Sequence, residues 1–420
     1  MKITNPIELI TPYRFDVIIK YMYAKSIVRK LNTEVFKNFY KEHLRLWNGF
    51  KEYDNPNKNT FEAFDEEFKK IVNSFQINGF DSTISQIPAL EGKYIVNGAH
   101  RLAAALATNN NVVIREANMP HDGQKDCSWK SHFSAIGLPQ NISDRTALEY
   151  AKLNKNTYVL TLFPTARGEF EKAIEIINRY GKLVYYKKLE LKKHAPLNLM
   201  REFYAGEAWA GGPHDNWHGF RMKEGLCFTN DSPTYVFLIE LDHTDIGRSV
   251  KNDIRNIYGV GNHSCHINDT HEQTIRLAQV VFNEKSLHHL THSTPVHYAK
   301  FEKALSRFKK FIIDNNLDVD DYAITASSVL SIYGLREGSD LDYIHYDSAL
   351  IQDPENIIHS HNEYGLGLYP LSYEEIIFNP EFHFYSNGLK FVSPRIIRDI
   401  KTKRNEPKDI LDINLIDSIL

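Results

Sequence analysis

The chain has 420 residues, 42% of them hydrophobic and 25% charged, a composition that excludes disorder over its whole length. A formal net charge of −3 and a pI near 6.7 exclude a global basic field for wrapping nucleic acid, so no DNA partner is expected. The three cysteines, Cys127, Cys227 and Cys265, form no C-x-x-C pair and fit a reducing cytoplasm; no signal-peptide core and no apolar run of about 18 residues is visible, so no membrane span is expected.

In chain order, residues 7–75 read as mainly helical, because FDVIIKYMYAKSIVRKL and FEAFDEEFKKIVNSF place apolar residues at i, i+3, i+4 and i+7. GFDSTISQIPALEGKYIVNGAHRLAAALATNNNVVIREA follows as strand, turn, strand, a tight loop at Asn97 and Gly98, a helix from about His100, and a further strand. From Asn156 come a strand TYVLTLFP, a helix RGEFEKAIEIINRYG, strands KLVYYKKLEL and TYVFLIEL, the helix VKNDIRNIYG, and a short strand or loop feeding a helix in NHSCHINDTHEQTIRLAQVVF. From Pro295 the helix VHYAKFEKALSRFKKFIIDNN opens a last segment, in which YAITASSVL reads as a strand turning at Gly334 and DLDYI as the next strand. The expected class is α/β (α+β) in three modules: 1–155, 156–294 and 295–420.

In IVNGAHRLAAAL the start of a helix follows a glycine turn. Free backbone N–H groups, the positive end of the helix dipole and Arg101 would together make a phosphate cradle; the alternative is a plain helix start whose Arg pairs with a carboxylate. SQIPALEGKYIVNGAHRLAAAL resembles the sulfiredoxin/ParB-like fold, whose members include free-amino-acid kinases and ATP- and CTP-binding proteins. The resemblance implies that Gly98, His100 and Arg101 contact nucleotide phosphates. Asn97 stands where kinase-like members carry Asp, and an amide cannot act as a base. Glu62, Asp65, Glu66 and Glu67 on the preceding helix are either the replacement carboxylates or a solvated face.

Histidines recur between His214 and His271 without the spacing of H-E-x-x-H or a zinc finger, so no metal is expected there. DIRNIYGVGNHSCHINDTHEQTIRLAQVVF is similar to nucleoside diphosphate kinases, which have a ferredoxin-like fold. The similarity implies a phosphate site at Arg255 and Asn262, a nucleophilic His266, and Tyr204 close by. Phe163-Pro164 replaces that family's Lys-Pro.

In YGLREGSDLDYI, Gly334 permits a turn, Arg336 can meet a phosphate, and Asp340 and Asp342, two apart on a strand, point to one face. Carboxylates that close call for a cation, and Mg²⁺ needs only one or two of them beside substrate phosphate oxygens. The alternative is a charged surface turn. The segment resembles the polymerase-beta-type nucleotidyltransferases, and so does the tail GLKFVSPRIIRDIKTKRNEPKDILDI with Lys401 and Arg404 to Asp409. A third carboxylate would come from Asp347, Glu374 or Glu375, and HSHNEY, His359 to Tyr364, could line the pocket.

The three motifs together imply a kinase that uses Mg²⁺ and a nucleoside triphosphate, ATP or CTP, to phosphorylate a small hydroxylated acceptor. Similar multi-module proteins act in bacterial surface-polysaccharide synthesis. The alternatives are nucleotidyl transfer by residues 295–420, and a nucleotide-responsive binding protein without turnover. The oligomeric state is left open.

Overall fold

A computed structural model describes residues 2–52, 55–119, 126–168, 170–243, 246–346, 350–351, 353, 355–365 and 367–420. The chain divides into two compact units: Met1–Tyr158 with Ile174–Tyr186 and Phe237–Gly247, and Val159–Ala173 with Lys187–Val236 and Arg248–Leu420. These bounds do not follow the expected boundaries at 155 and 294. Among the described residues no helix is long and apolar enough to cross a membrane.

The first unit begins with β1 (Lys2–Thr4), then α1 (Phe15–Val28), α2 (Val35–Asn48) and α3 (Phe61–Asn78). The expected strand–helix–strand run follows as β2 (Ile87–Leu90), β3 (Tyr94–Ile95), α4 (Ala99–Thr108) and β4 (Val112–Glu116), and then α5 (Gln140–Leu153). The sheet order is β1-β4-β2-β3, with β1 antiparallel and β2 parallel to β4. β1 was not anticipated, whereas α2 falls within the stretch read as mainly helical. Thr60 caps α3 by accepting from the Ala63 N–H at 3.3 Å. α1 is apolar nearly all round: Phe15, Val17, Ile18, Ile19 and Met22 are buried, and the helix carries Asp16 and Lys20 into the interior with them.

The middle of the chain forms β5 (Thr157–Leu162), α6 (Glu171–Tyr180), β6 (Gly181–Leu189), α7 (Ala195–Phe203), α8 (His218–Cys227), β7 (Thr234–Leu241), α9 (Gly247–Tyr258), β8 (Cys265–Ile267), α10 (His271–Val281) and α11 (Glu284–His292). Its strands order as β6-β7-β5-β8, and β8 runs antiparallel to β5 with His266 opposite Thr161. Thr270 and Gln273 close a reciprocal capping box at the start of α10.

The rest of the second unit is α12 (Ala299–Asp314), β9 (Tyr322–Thr325), α13 (Ser327–Ile332), β10 (Leu341–His345), β11 (Ile358–Ser360), α14 (Tyr373–Phe378), β12 (His383–Ser386), β13 (Leu389–Val392), α15 (Pro394–Arg404) and α16 (Pro407–Asp417). The sheet order is β11-β10-β9-β13-β12, so Asp342 has a strand on each side, with Thr325 and His359 as its register partners. The expected strand through YAITASSVL is corrected. It stops at Thr325, turns at Ala326 (φ 53°, ψ −134°), and continues as the short helix α13, because burial of Val329 and Leu330 outweighs their strand preference. Gly334 ends that helix rather than a strand. Its φ is +74°, and a Cβ there would sit 2.2 Å from the Thr294 carbonyl oxygen. Residue 294 therefore lies inside the second unit, where the Thr294 N–H donates to the Tyr333 carbonyl at 3.0 Å.

Candidate functional site

Asp340, just ahead of β10, and Asp342, within it, line one cavity of about 550 Å³ together with His359, His361, Arg336, Lys401, Arg404 and Lys408. Asp342 is 7% exposed, and its Oδ1 lies 3.2 Å from His361 Nε2. Asp340 accepts from Ser339 Oγ at 2.9 Å. Neither carboxylate has a Lys or Arg within ion-pair distance among the described residues. Two hard oxygen donors open to a cavity fit Mg²⁺, which fills its remaining positions with water and phosphate oxygens. Of the proposed third carboxylates, Asp347 lies outside the described residues, while Glu374 and Glu375 stand on α14 away from this lining. Among the described residues no group of three or more His, Cys, Asp or Glu is arranged to hold a metal ion.

The cationic wall of this cavity is itself anchored. Arg336 donates from Nε and Nη2 to the two oxygens of Asp412, at 2.5 and 2.6 Å, so those donors are not available to a phosphate. Lys401 reaches Asp412 at 2.6 Å and Asp409 at 3.3 Å, and Arg404 grips Asp409 at 2.9 and 2.6 Å. Burial alone would raise both carboxyls. The bonds from Arg404 to Asp409, and from Arg336 and Lys401 to Asp412, hold them below the ordinary range. Arg336, Lys401, Arg404 and the exposed Lys408 thus share three carboxylates, Asp412, Asp409 and Glu406, the last pairing with Arg404 at 3.5 Å and Lys408 at 3.1 Å, which leaves one positive charge in excess. The sequence showed Arg336, Lys401 and Arg404; that Asp409 and Asp412 lock them was not legible from spacing.

The loop at Asn97 and Gly98 opens α4 as expected: Gly98 has φ +86°, and Asn97 Oδ1 accepts from the Gly98 N–H at 2.6 Å. Gly98, His100 and Arg101 line a cavity of about 760 Å³. Among the described residues Arg101 has no carboxylate partner; Nη1 donates to Ser85 Oγ and, at 3.0 Å, to the Gln86 carbonyl. His100 lies edge-on to Tyr40 and Phe68, with Nε2 2.8 Å from the Tyr40 hydroxyl, and burial holds its imidazole neutral well below the usual range. Of the acidic residues on α3, Glu67 reaches the cavity and pairs with Lys58 at 3.0 Å, while Asp65 is buried against Tyr23 and Lys69. The same cavity is lined by Arg14, Asp16, Lys20 and Lys58, which the sequence reading did not single out. Their only signal was an i, i+4 acid–base pair set in a helix apolar on every side.

In the middle of the chain, His266 on β8 stacks on Phe203 (5.3 Å, 14°) and meets Tyr204 edge-on at 4.8 Å, so the expected nearness of Tyr204 is met. Burial first, then the charges of Lys251, Lys223 and Arg255, push its pKa down to about 3. Asn262 is exposed, and its carbonyl accepts from Lys223 Nζ at 2.7 Å. Lys223, on α8, brings a cation to this neighbourhood, where the replaced Lys-Pro left none in the sequence reading.

Comparison with protein-family models, with curated proteins and with solved structures finds no match for this chain.

Proposed function

We propose that this protein is a nucleotide- and Mg²⁺-dependent transferase of phosphorus-containing groups, and that residues 295–420 carry nucleotidyl transfer to a small hydroxylated acceptor. The observation supporting this reading is that Asp340 and Asp342 share one cavity with a basic wall held rigid by Asp409 and Asp412. Asp340 and Asp342 are the residues that would hold Mg²⁺, and the bound ion would supply neutralisation of phosphate charge. Lys408 and the remaining donors of Lys401 and Arg404 would bind the phosphates, and His361 would orient the Asp342 carboxylate. Fixed charge of this kind costs no reorganisation during reaction, which is what transfer of a phosphorus group needs most.

A second reading, phosphoryl transfer from ATP or CTP, is favoured by one observation: the start of α4 and Arg101, which has no carboxylate partner among the described residues, line a cavity of the first unit. The two readings differ in the released product. Incubating the full chain with Mg²⁺, a triphosphate labelled at the α or the γ position, and a panel of hydroxylated acceptors tests both. Release of pyrophosphate, lost in Asp342→Asn, is expected. Release of nucleoside diphosphate selects the second reading, and no turnover with any triphosphate removes both.

A further inference from the structure

At the inner end of the 760 Å³ cavity, positive charge exceeds negative. Arg14 and Lys20 are 6% and 4% exposed and share one carboxylate, Asp16, itself 2% exposed. Arg14 Nε and Nη2 reach it at 2.9 and 3.0 Å and Lys20 Nζ at 2.7 Å. Arg101 lines the same cavity and, among the described residues, has no carboxylate of its own. At the outer end Lys58 is held by Glu52, at 2.5 Å, and by Glu67, and the Asp81 carboxylate is taken up by Thr83. Arg14 and Lys20 therefore set two buried cations against one anion, and a buried charge without a counter-ion is costly.

The donors point the same way. An ammonium has three N–H groups; Lys20 gives one to Asp16 and one to His43 Nε2, 3.0 Å away, leaving one. Arg14 spends three of five, the third on the Ile95 carbonyl at 3.3 Å, and Arg101 spends two on Ser85 and Gln86. The start of α4 carries no side-chain cap, so its first backbone N–H groups also lack an intrahelical partner. Cys127 lines this end too, but burial pushes its thiol up to about 12, so it supplies no anion.

We infer that the inner end of this cavity binds the oxyanion, carboxylate or phosphate, of a small molecule, with Lys20, Arg14, Arg101 and the start of α4 as its contacts. The cavity is far larger than the anion alone, so the remainder of the ligand lies toward Trp47, Phe64 and Lys58. Asp16 acts as the positioning residue, holding Arg14 and Lys20 side by side. This inference stands apart from the reading of the Asp340 and Asp342 cavity; it deepens the second reading above, whose cavity it shares, and its test reads binding rather than turnover.

The test uses the full chain and reads the melting midpoint against inorganic phosphate, acetate and chloride at constant ionic strength. A saturable rise with phosphate or acetate, absent with chloride, is expected, because a ligand bound only to the folded state stabilises it. Phosphate alone or acetate alone identifies the oxyanion. Arg101→Gln and Lys20→Met should each raise the half-saturating concentration about tenfold, the usual weight of one charge-assisted bond. Arg101 is partly exposed, so its variant keeps the test decisive if Lys20→Met does not fold. Lys310→Ala, on the exposed face of α12, should leave the response unchanged. No saturable response, or one abolished by Lys408→Ala and untouched by Arg101→Gln, overturns the inference.

Discussion

Arg336 and Asp412 face each other as a two-pronged pair, Nε to Oδ1 at 2.5 Å and Nη2 to Oδ2 at 2.6 Å, which ties the turn ahead of Asp340 to α16. Asp412→Asn keeps the shape but leaves Arg336 and Lys401 short of a counter-charge. Because the Arg336 side chain is 36% exposed, the expected loss is roughly 2 to 3 kcal/mol, below that of a fully buried pair. Urea denaturation at neutral pH reads it, and an unchanged midpoint would show that the pair contributes nothing.

Asp342→Asn should separate function from stability. Loss of one of two metal-facing carboxylates is expected to lower Mg²⁺-dependent turnover by two to three orders of magnitude, equivalent to several kcal/mol of charge stabilisation. The melting midpoint should hold or rise, because a second nearby carboxylate no longer repels Asp340. A metal titration of activity beside a melting curve decides it: normal turnover with a lowered midpoint would make Asp342 a structural partner of His361.

Glycine positions give a graded comparison. At Gly334 a Cβ would meet the Thr294 carbonyl at 2.2 Å with φ at +74°, and backbone cannot swing aside, so Gly334→Ala should cost about 3 kcal/mol or more. At Gly98 a Cβ would meet Arg101 Nη2 at 3.0 Å, the far end of a flexible side chain. There the cost should be nearer 1 kcal/mol, accompanied by weaker anion binding as Arg101 moves. Equal losses in the two variants would contradict these contacts.

His43, His100, His266 and His289 are held neutral by burial, with pKa values below the ordinary imidazole value. The unfolded chain takes up protons on these groups below about pH 6.5 while the folded chain does not, so stability is full above that pH and falls as pH drops through this window. Each such imidazole contributes a slope of about 1.4 kcal/mol per pH unit. Denaturation curves at pH 7.5 and 5.5 should show the loss, and His266→Gln should make it shallower. Below about pH 4 the depressed Asp409 and Asp412 add a second loss, since their contribution exists only while they are ionised.

The start of α4, the alternation at Asp340 and Asp342 and the basic tail could be read from the chain, because each depends on neighbours within a few residues. The Arg14, Asp16 and Lys20 cluster could not. Spaced two and four apart, these residues look like a solvated ion pair, and only the packing of α2, α3 and α4 around α1 makes them interior. The break between β9 and α13 was hidden for a related reason: Ser-Ser-Val-Leu-Ser-Ile has strand-like composition, and six residues give too little periodicity to reveal a helix.

The interleaved segments of the two units bear on how the chain is made. The first unit needs residues 237–247, yet 78 residues separate them from its main stretch, which ends at Tyr158. At roughly 5 to 20 residues per second of synthesis, α5 leaves the ribosome about 4 to 16 s before its β7 partner exists. During that interval the Tyr150 hydroxyl and the Asn154 amide of α5 lack the Glu240 carboxylate to which they donate, at 2.5 and 2.9 Å. A chaperone that holds the nascent chain should therefore raise the yield of soluble protein, and slowed elongation should lower it.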